Sequence, residues 1–264
     1  MYEAAWQRAP GPALTALIEA IDCDLTLSDA KVPHTVRRRV QQALTLPEFL
    51  LDCAHRLLSQ LAFEPGTRYL YLDPQQRYNV QLFSWPAGFS NKPHLHTNWN
   101  VSAVFVGSLE ILRSTRSEAD CAASAPLVAA AGEAGVLIPP QFHFLRNPTE
   151  TTALTFHVFS NSSTPGQRPH REGPAEAGEC RLDDDGILAL ARAAAGVEDP
   201  RVTDIIRTAF AAAGNVTRLE LVKLMTAMDP AGGIEMGKQL AHLVGGSDGS
   251  RLLAVLEQIE LAAP

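Results

Sequence analysis

The stretch NKPHLHTNWNVSAVFVGSLEI, residues 91–111, places two histidines one residue apart, just before an apolar run typical of a β-strand. Residues i and i+2 of a strand point to the same face, so the spacing predicts that His94 and His96 direct their imidazoles into one space. Two adjacent imidazoles favour a divalent metal ion. Gly88 and Gly107 bracket the pair and can supply the sharp turns of a metal-bearing hairpin.

A third histidine lies in a second strand–turn–strand pattern, IPPQFHFLRN, residues 138–147. Two prolines stiffen its entry and Asn147 closes the turn. A single histidine on an apolar strand is more often an ordinary core residue than a ligand. The combined spacing favours a metal site, and we expect His143 to join His94 and His96 as the third nitrogen ligand.

Three regions of the chain differ in pattern. Apolar residues recur at helical spacing in residues 1–65, which we expect to pack as a helical segment on the rest. Short β-branched and aromatic runs fill residues 66–165 and predict a β-sandwich or small barrel. Residues 166–185 are rich in Pro and Gly and are typical of a linker or long loop. Residues 186–264 predict about five short helices.

The overall composition indicates an ordinary globular protein. The chain has 264 residues, 46% of them hydrophobic and 19% charged. Its formal net charge of −7 argues against nucleic acid or an anionic membrane surface as the main partner. No apolar run reaches the roughly 20 residues that span a bilayer. Four scattered cysteines and the lack of a signal-peptide pattern predict reduced thiols and a cytoplasmic location.

The two histidine stretches together resemble the motifs of the cupin superfamily. Residues 88–107 have the form G-x5-H-x-H-x3-N-x6-G, and residues 139–147 have the form P-P-x-x-H-x3-N. Many cupins have a glutamate ligand where this chain has Asn100. In lacking that glutamate, the chain resembles the cupin subgroup with three histidine ligands and no carboxylate ligand. Within that subgroup the chain most resembles the cysteine dioxygenase-like thiol dioxygenases. The resemblance covers about residues 66–160 and implies a double-stranded β-helix, or jelly-roll, barrel.

The resemblance also implies a set of site residues. It implies that one Fe(II) is held by three histidines: His94, His96 and His143. Arg68 falls where the family has an arginine that grips a substrate carboxylate, and an outer-sphere triad falls on Thr155, His157 and Phe159. These three residues also alternate along one strand face, so all can point into the same cavity. Trp99, next to the motif, is expected either to line the substrate pocket or only to pack.

Three positions depart from the family pattern. The tyrosine of the family triad is Phe159 here, and the cysteine that crosslinks to it in animal members aligns with Val101. A further active-site tyrosine of those members aligns with Gly66. The thioether cofactor therefore cannot form, and L-cysteine is disfavoured as the substrate. The retained Arg68 favours a different thiol carboxylate.

The sequence therefore predicts a non-heme iron dioxygenase that oxidises a small thiol with O2 to a sulfinic acid. One alternative is a three-histidine cupin that cleaves a carbon–carbon bond of a diketone or an aromatic acid. Another is a metal-dependent sensor whose C-terminal helices dock a partner. We expect no nucleic acid and no membrane among the partners, and we expect the C-terminal helices to cover the barrel or to form a homo-oligomer.

Overall fold

The computed structural model describes residues 10–27, 30–61, 63–161 and 181–262. The helices are α1 (Pro12–Asp24), α2 (Val32–Ala43), α3 (Pro47–Leu61), α4 (Glu118–Ala122), α5 (Asp184–Ala195), α6 (Arg201–Ala212), α7 (Asn215–Met228), α8 (Pro230–Val244) and α9 (Gly246–Ala262). The strands are β1 (Tyr69–Leu72), β2 (Tyr78–Trp85), β3 (Asn100–Val106), β4 (Ser108–Ser114), β5 (Leu127–Ala130), β6 (Ala134–Leu137), β7 (Phe142–Arg146) and β8 (Ala153–Ser160). Most of the predicted linker, residues 166–185, lies outside the described residues.

Two antiparallel sheets form the body of the protein. The larger sheet has the strand order β1-β2-β8-β3-β6, and the smaller has the order β5-β4-β7. Helices α1 to α3 precede the sheets and α5 to α9 follow them. This arrangement confirms the predicted fold class, a mainly β barrel with N-terminal helices and an appended C-terminal helical region.

The central strand β8 shows why the sequence folds this way. Successive side chains of a strand point to opposite faces, and β8 is buried on both. One face joins the main hydrophobic core beneath the helices through three apolar residues: Leu154, Phe156 and Val158. The opposite face lies inside the barrel and carries the predicted triad, Thr155, His157 and Phe159, of which Phe159 joins a smaller second core.

The helical regions pack on each other and on the outer face of the larger sheet. Helix α5 contacts β8, β3 and α3, and helix α6 also packs on α3. The buried Asp52 of α3 accepts a hydrogen bond from the Ala13 N–H at the start of α1. It also pairs with the Arg201 guanidinium at 3.1 Å. The first C-terminal helices are therefore anchored to the N-terminal helices.

Helices α7, α8 and α9 stack in chain order and leave large apolar side chains exposed, among them Val216, Leu243 and Val255. A homo-oligomer through these helices stays a prediction. None of the helices in the described ranges is both long and apolar enough to cross a membrane.

Candidate metal centre

The three predicted histidines come together inside the barrel. One potential ligand atom from each of His94, His96 and His143 lies within 4.8 Å of the other two. His94 and His143 form an isolated antiparallel bridge, in which each backbone N–H donates to the carbonyl of the other at 3.0 Å. This bridge fixes the first histidine motif against β7, which carries the second.

The structure corrects the local setting of His94 and His96. The i, i+2 spacing predicted that both lie on a strand, but both lie in the connection between β2 and β3. The two imidazoles nevertheless face the same space, with ring centroids 5.0 Å apart.

The available nitrogens fit a metal ion. The ring Nδ1 of His94 lies 2.8 Å from the Lys92 carbonyl and donates its hydrogen there, which leaves Nε2 as a free lone pair. The Nδ1 of His143 is buried and has no hydrogen-bond partner in the described part of the chain, an unsatisfied polar atom that a cation could satisfy.

The charge state of the histidines also suits a metal. Burial lowers the pKa of His96 to about 4, with a smaller contribution from His94. Burial likewise holds the pKa of His143 well below its usual range, and the neighbouring histidines add to the effect. Both imidazoles are therefore neutral near pH 7, and neutral imidazole is the form that binds metals.

The bracketing glycines supply the turns expected of them. Gly88 has a φ of +71° and Gly107 a φ of +78°, in the left-handed region that other residues rarely adopt. A Cβ at Gly107 would also lie 3.2 Å from the Ala153 Cβ. Gly88 forms a turn after β2, before the histidine pair, and Gly107 forms the turn between β3 and β4, after it.

A continuous hydrogen-bonded chain lies beside the histidines. The Trp85 indole N–H donates to the Thr155 hydroxyl at 2.6 Å, and that hydroxyl lies 2.7 Å from His157 Nε2. On the other side of the ring, Nδ1 lies 2.9 Å from the Ser102 hydroxyl, which donates to Asn100 Oδ1 at 3.0 Å. We refer to these five residues as the relay. Register explains the pairing, because Ser102 lies opposite His157 across β3 and β8.

The His157 ring lies between two aromatic rings. Phe159 stacks on it with a centroid separation of 5.3 Å, and Phe83 meets it edge-on at 4.7 Å. Burial, with smaller contributions from the charges of His96 and Arg68, lowers the pKa of His157 to about 3. His157 is therefore neutral, and both of its ring nitrogens are hydrogen-bonded to protein hydroxyls.

Arg68 and Trp99 do not line the cavity that holds the three histidines. The Arg68 guanidinium carbon lies 5.0 Å from the centroid of Phe83, which does line the cavity. Trp99 packs against the main core, and its carbonyl accepts two hydrogen bonds from Ser160. Their predicted roles in substrate binding stay predictions.

The family alignment needs one correction. Val101 is fully buried in the main core, on the face of β3 away from the cavity. The residue opposite Phe159 is Asn100, so Asn100 occupies the place from which a crosslinking side chain would reach position 159. Gly66 has a φ of +76°, which disfavours a tyrosine there. With Asn100 and Phe159 facing each other, a thioether still cannot form.

Sequence reasoning missed several residues of the cavity. Phe83 and Trp85 line it from β2, Leu145 from β7 and Ser102 from β3. The period-2 pattern of each strand could have placed these four on the inner face once the histidine face was known. Asn91 also lines the cavity from the β2–β3 connection, and no spacing signal marks it.

Comparison with known proteins finds cupin barrels among solved structures. No family profile and no curated protein matches the chain. A cupin 2 conserved barrel protein from Salinispora arenicola is 18% identical over 36% of this chain and 75% of that one, with a TM-score of 0.31. A protein from Bacillus halodurans is 16% identical over 41% of this chain and 78% of its own, with a TM-score of 0.33.

A third structure, described as a sugar phosphate isomerase from a cupin superfamily, comes from Silicibacter pomeroyi. It is 17% identical to this chain, with a TM-score of 0.28, and the match covers 33% of this chain and 52% of that one. At these identities and TM-scores the three similarities carry no argument about function.

Proposed function

We propose that the protein is a non-heme iron dioxygenase that oxidises a small thiol, best a thiol carboxylate, to its sulfinic acid. The observation that carries the proposal is a group of three histidines, one buried and the others partly buried, in a cavity with no carboxylate among its lining residues. Three neutral ligands leave the charge of a divalent ion uncancelled, and an anionic thiolate would then bind readily.

The overall reaction balances without a further reductant. The thiol sulfur loses four electrons, O2 gains four, and both oxygen atoms end on the sulfur as RSH + O2 gives RSO2H. Bound Fe(II) would supply adjacent open coordination positions for the thiolate and for O2.

The residues of the chain would supply position and surroundings. The His94 hydrogen bond to Lys92 holds one imidazole in the metal-binding tautomer. Phe83, Phe159 and Leu145 give the cavity apolar walls that limit water. Arg68, behind Phe83, would add positive charge that favours an acidic substrate.

The test is oxygen uptake by protein loaded anaerobically with Fe(II). Cysteine, 3-mercaptopropionate, mercaptosuccinate and cysteamine form the panel, and mass spectrometry identifies the product. We expect one O2 consumed per sulfinic acid formed, fastest with a thiol carboxylate. The His96→Ala variant is the matched control for iron in solution. Metal binding with no uptake on any thiol would contradict the proposal and favour the sensor.

A second candidate is carbon–carbon cleavage of a diketone. It is favoured by one observation, which is that Phe159 gives the cavity an apolar ring where the thiol dioxygenases have a tyrosine hydroxyl. Uptake of O2 with acetylacetone and recovery of two carboxylic or carbonyl fragments would select this candidate over the first.

A further inference from the structure

The polar groups that line the cavity differ in whether they are already used. Three histidines form the candidate metal centre, while His157 and Ser102 donate and accept within the relay. The Trp85 indole N–H is also occupied, by Thr155. The remaining polar side chains of the lining are two asparagines, Asn91 and Asn100.

The orientation of the Asn91 amide is fixed by a backbone group. Its Oδ1 lies 2.8 Å from the Leu145 backbone nitrogen, and an N–H can only donate. The oxygen must therefore face Leu145, and the amide nitrogen faces elsewhere. Asn91 is 7% exposed, so this orientation is held in a buried setting.

The orientation of the Asn100 amide follows from the direction of the relay. Trp85 Nε1 can only donate, so it uses a lone pair of the Thr155 hydroxyl. The hydrogen of that hydroxyl then has one acceptor in the described structure, which is His157 Nε2. His157 must carry its own hydrogen on Nδ1 and donate it to Ser102. Ser102 in turn donates to an oxygen, Asn100 Oδ1.

Both amide NH2 groups are consequently left over. Neither Asn91 Nδ2 nor Asn100 Nδ2 makes a hydrogen bond within residues 10–27, 30–61, 63–161 and 181–262, although Asn100 is only 2% exposed. A third buried asparagine gives the contrast, because Asn147 uses its NH2 group on three carbonyls and does not line the cavity. Neither Asn91 Nδ2 nor Asn100 Nδ2 is fully enclosed by protein, so each can donate a hydrogen bond to a ligand or a water in the cavity.

We propose that Asn91 and Asn100 form a donor pair for oxygen atoms of the ligand, and that this pair selects substrates with a carboxylate or another oxygen acceptor beside the metal-binding atom. The inference rests on the proposed function only for the identity of the metal-binding atom as sulfur. The same donor pair could also hydrogen-bond to a ligand that binds the metal through two oxygen atoms. The relay then fixes the Asn100 side chain so that its oxygen accepts from Ser102 and its NH2 group faces the ligand.

The experiment measures ligand binding to cobalt(II)-loaded full-length protein without O2, by the visible absorption of the metal. The probes are 3-mercaptopropionate, 1-propanethiol, which lacks an oxygen acceptor, and acetylacetone, an oxygen chelate. Wild-type protein should bind 3-mercaptopropionate at least tenfold more tightly than 1-propanethiol.

The variants Asn91→Asp and Asn100→Asp keep the internal hydrogen bond to the oxygen but replace the NH2 donor by an oxygen. Each should weaken binding of 3-mercaptopropionate and acetylacetone by tenfold or more and change the binding of 1-propanethiol less than threefold. Asn79→Asp is the matched control, since it adds the same charge on β2 at a residue that does not line the cavity. Asn100→Leu, an uncharged variant, should show the same selective loss.

A second readout needs no ligand. Nitrogen NMR of the zinc-loaded protein should show His157 protonated on Nδ1, and Thr155→Val should move that proton toward Nε2. Unchanged binding of the two oxygen-bearing probes in both asparagine variants would overturn the inference, as would an Nε2-protonated His157 in the wild type. Binding of acetylacetone that depends on the asparagines, without any thiolate band, would support the donor pair and contradict the thiol dioxygenase.

Discussion

The two faces of the larger sheet are built from the same strands but have opposite chemistry. On the helix side, β8 contributes Leu154, Phe156 and Val158 to a continuous apolar core. On the barrel side, the intervening residues Thr155 and His157 are just as buried, yet they are polar and each is hydrogen-bonded.

The contrast teaches where stability and chemistry lie in this fold. Burial of apolar area stabilises the fold without requiring particular bond directions. A substitution on the helix side should therefore lower the free energy of unfolding and leave metal binding unchanged. A buried polar network holds its side chains in place only when every hydrogen-bond partner is present. Removing one group on the barrel side should therefore weaken metal or ligand binding, or displace the remaining side chains of the network. Substitutions on either side of one strand can test this separation.

The largest effect is expected at the metal ligands. Replacing His94, His96 or His143 by Ala should reduce bound Fe(II) from one equivalent to a small fraction, because a site with two remaining nitrogens holds the ion weakly. The fold should remain, since the main core does not contain these residues. Metal analysis and circular dichroism are the measurements, with His242→Ala on α8 as the matched control. Full metal content in all three variants would place the site elsewhere.

The next effect is expected on the helix side. Phe156 is fully buried and meets Phe49 edge-on at a centroid distance of 5.3 Å. Phe156→Ala should lower the free energy of unfolding by about 3–5 kcal/mol, the usual cost of such a truncation. Metal binding by the folded fraction should not change. Urea denaturation with and without metal measures the free energy of unfolding and the metal affinity. A loss of metal affinity under conditions where the variant is fully folded would contradict the separation of the two faces.

Much of the fold could be predicted from the sequence because β2, β3, β4 and β8 carry long apolar runs between clear turn residues. Helix α4 and strand β5 were missed, since they are only five and four residues long and lack a sustained period.

The metal site could be predicted further than its surroundings. The spacing of His94, His96 and His143 is local information, and the bridge between the two motifs brings them together as expected. The relay depends on strand register, which pairs Ser102 with His157 and Asn100 with Phe159 across 55 or more residues of chain. Single-sequence patterns do not fix register, so the family alignment points to Val101, whereas the structure places Asn100 opposite Phe159 and in the cavity.

An intermediate effect tests the charge behind the cavity wall. Arg68→Ala should raise the KM for carboxylate-bearing thiols about two- to tenfold, because Arg68 lies behind Phe83 and would act on the substrate through its charge and not through a direct contact. Cysteamine, which has no carboxylate, should be affected little. Arg68→Lys should recover most of the effect, because it keeps the positive charge behind the cavity wall. Metal content should stay constant.

Steady-state kinetics over the thiol panel give these values. If Arg68→Ala left the KM of every acidic thiol intact, the carboxylate would have to be recognised by other groups of the cavity, and the role of Arg68 would be limited to its contact with Phe83.

The smallest effect is a pH dependence that only the barrel side should produce. Folding lowers the pKa of His96 to about 4 and that of His157 to about 3, chiefly through burial. Histidine in an unfolded chain titrates near pH 6.5. Below that pH the unfolded state binds more protons than the folded state, so the stability of the metal-free protein should fall as the pH is lowered. Above about pH 7.5 both states are neutral, and these groups contribute no dependence.

Between pH 7.5 and pH 6 the expected loss is roughly 0.8 kcal/mol for each such histidine, from the linkage of protonation to unfolding. Urea denaturation of chelator-treated protein measures it, and His157→Gln should remove one histidine's share of the slope. The helix side, which buries no histidine among the described residues, provides no competing term. A flat profile over this range would mean that His96 and His157 take up protons in the folded state as they do in water. The barrel interior would then be open to solvent, and the contrast between the two faces of the sheet would not hold.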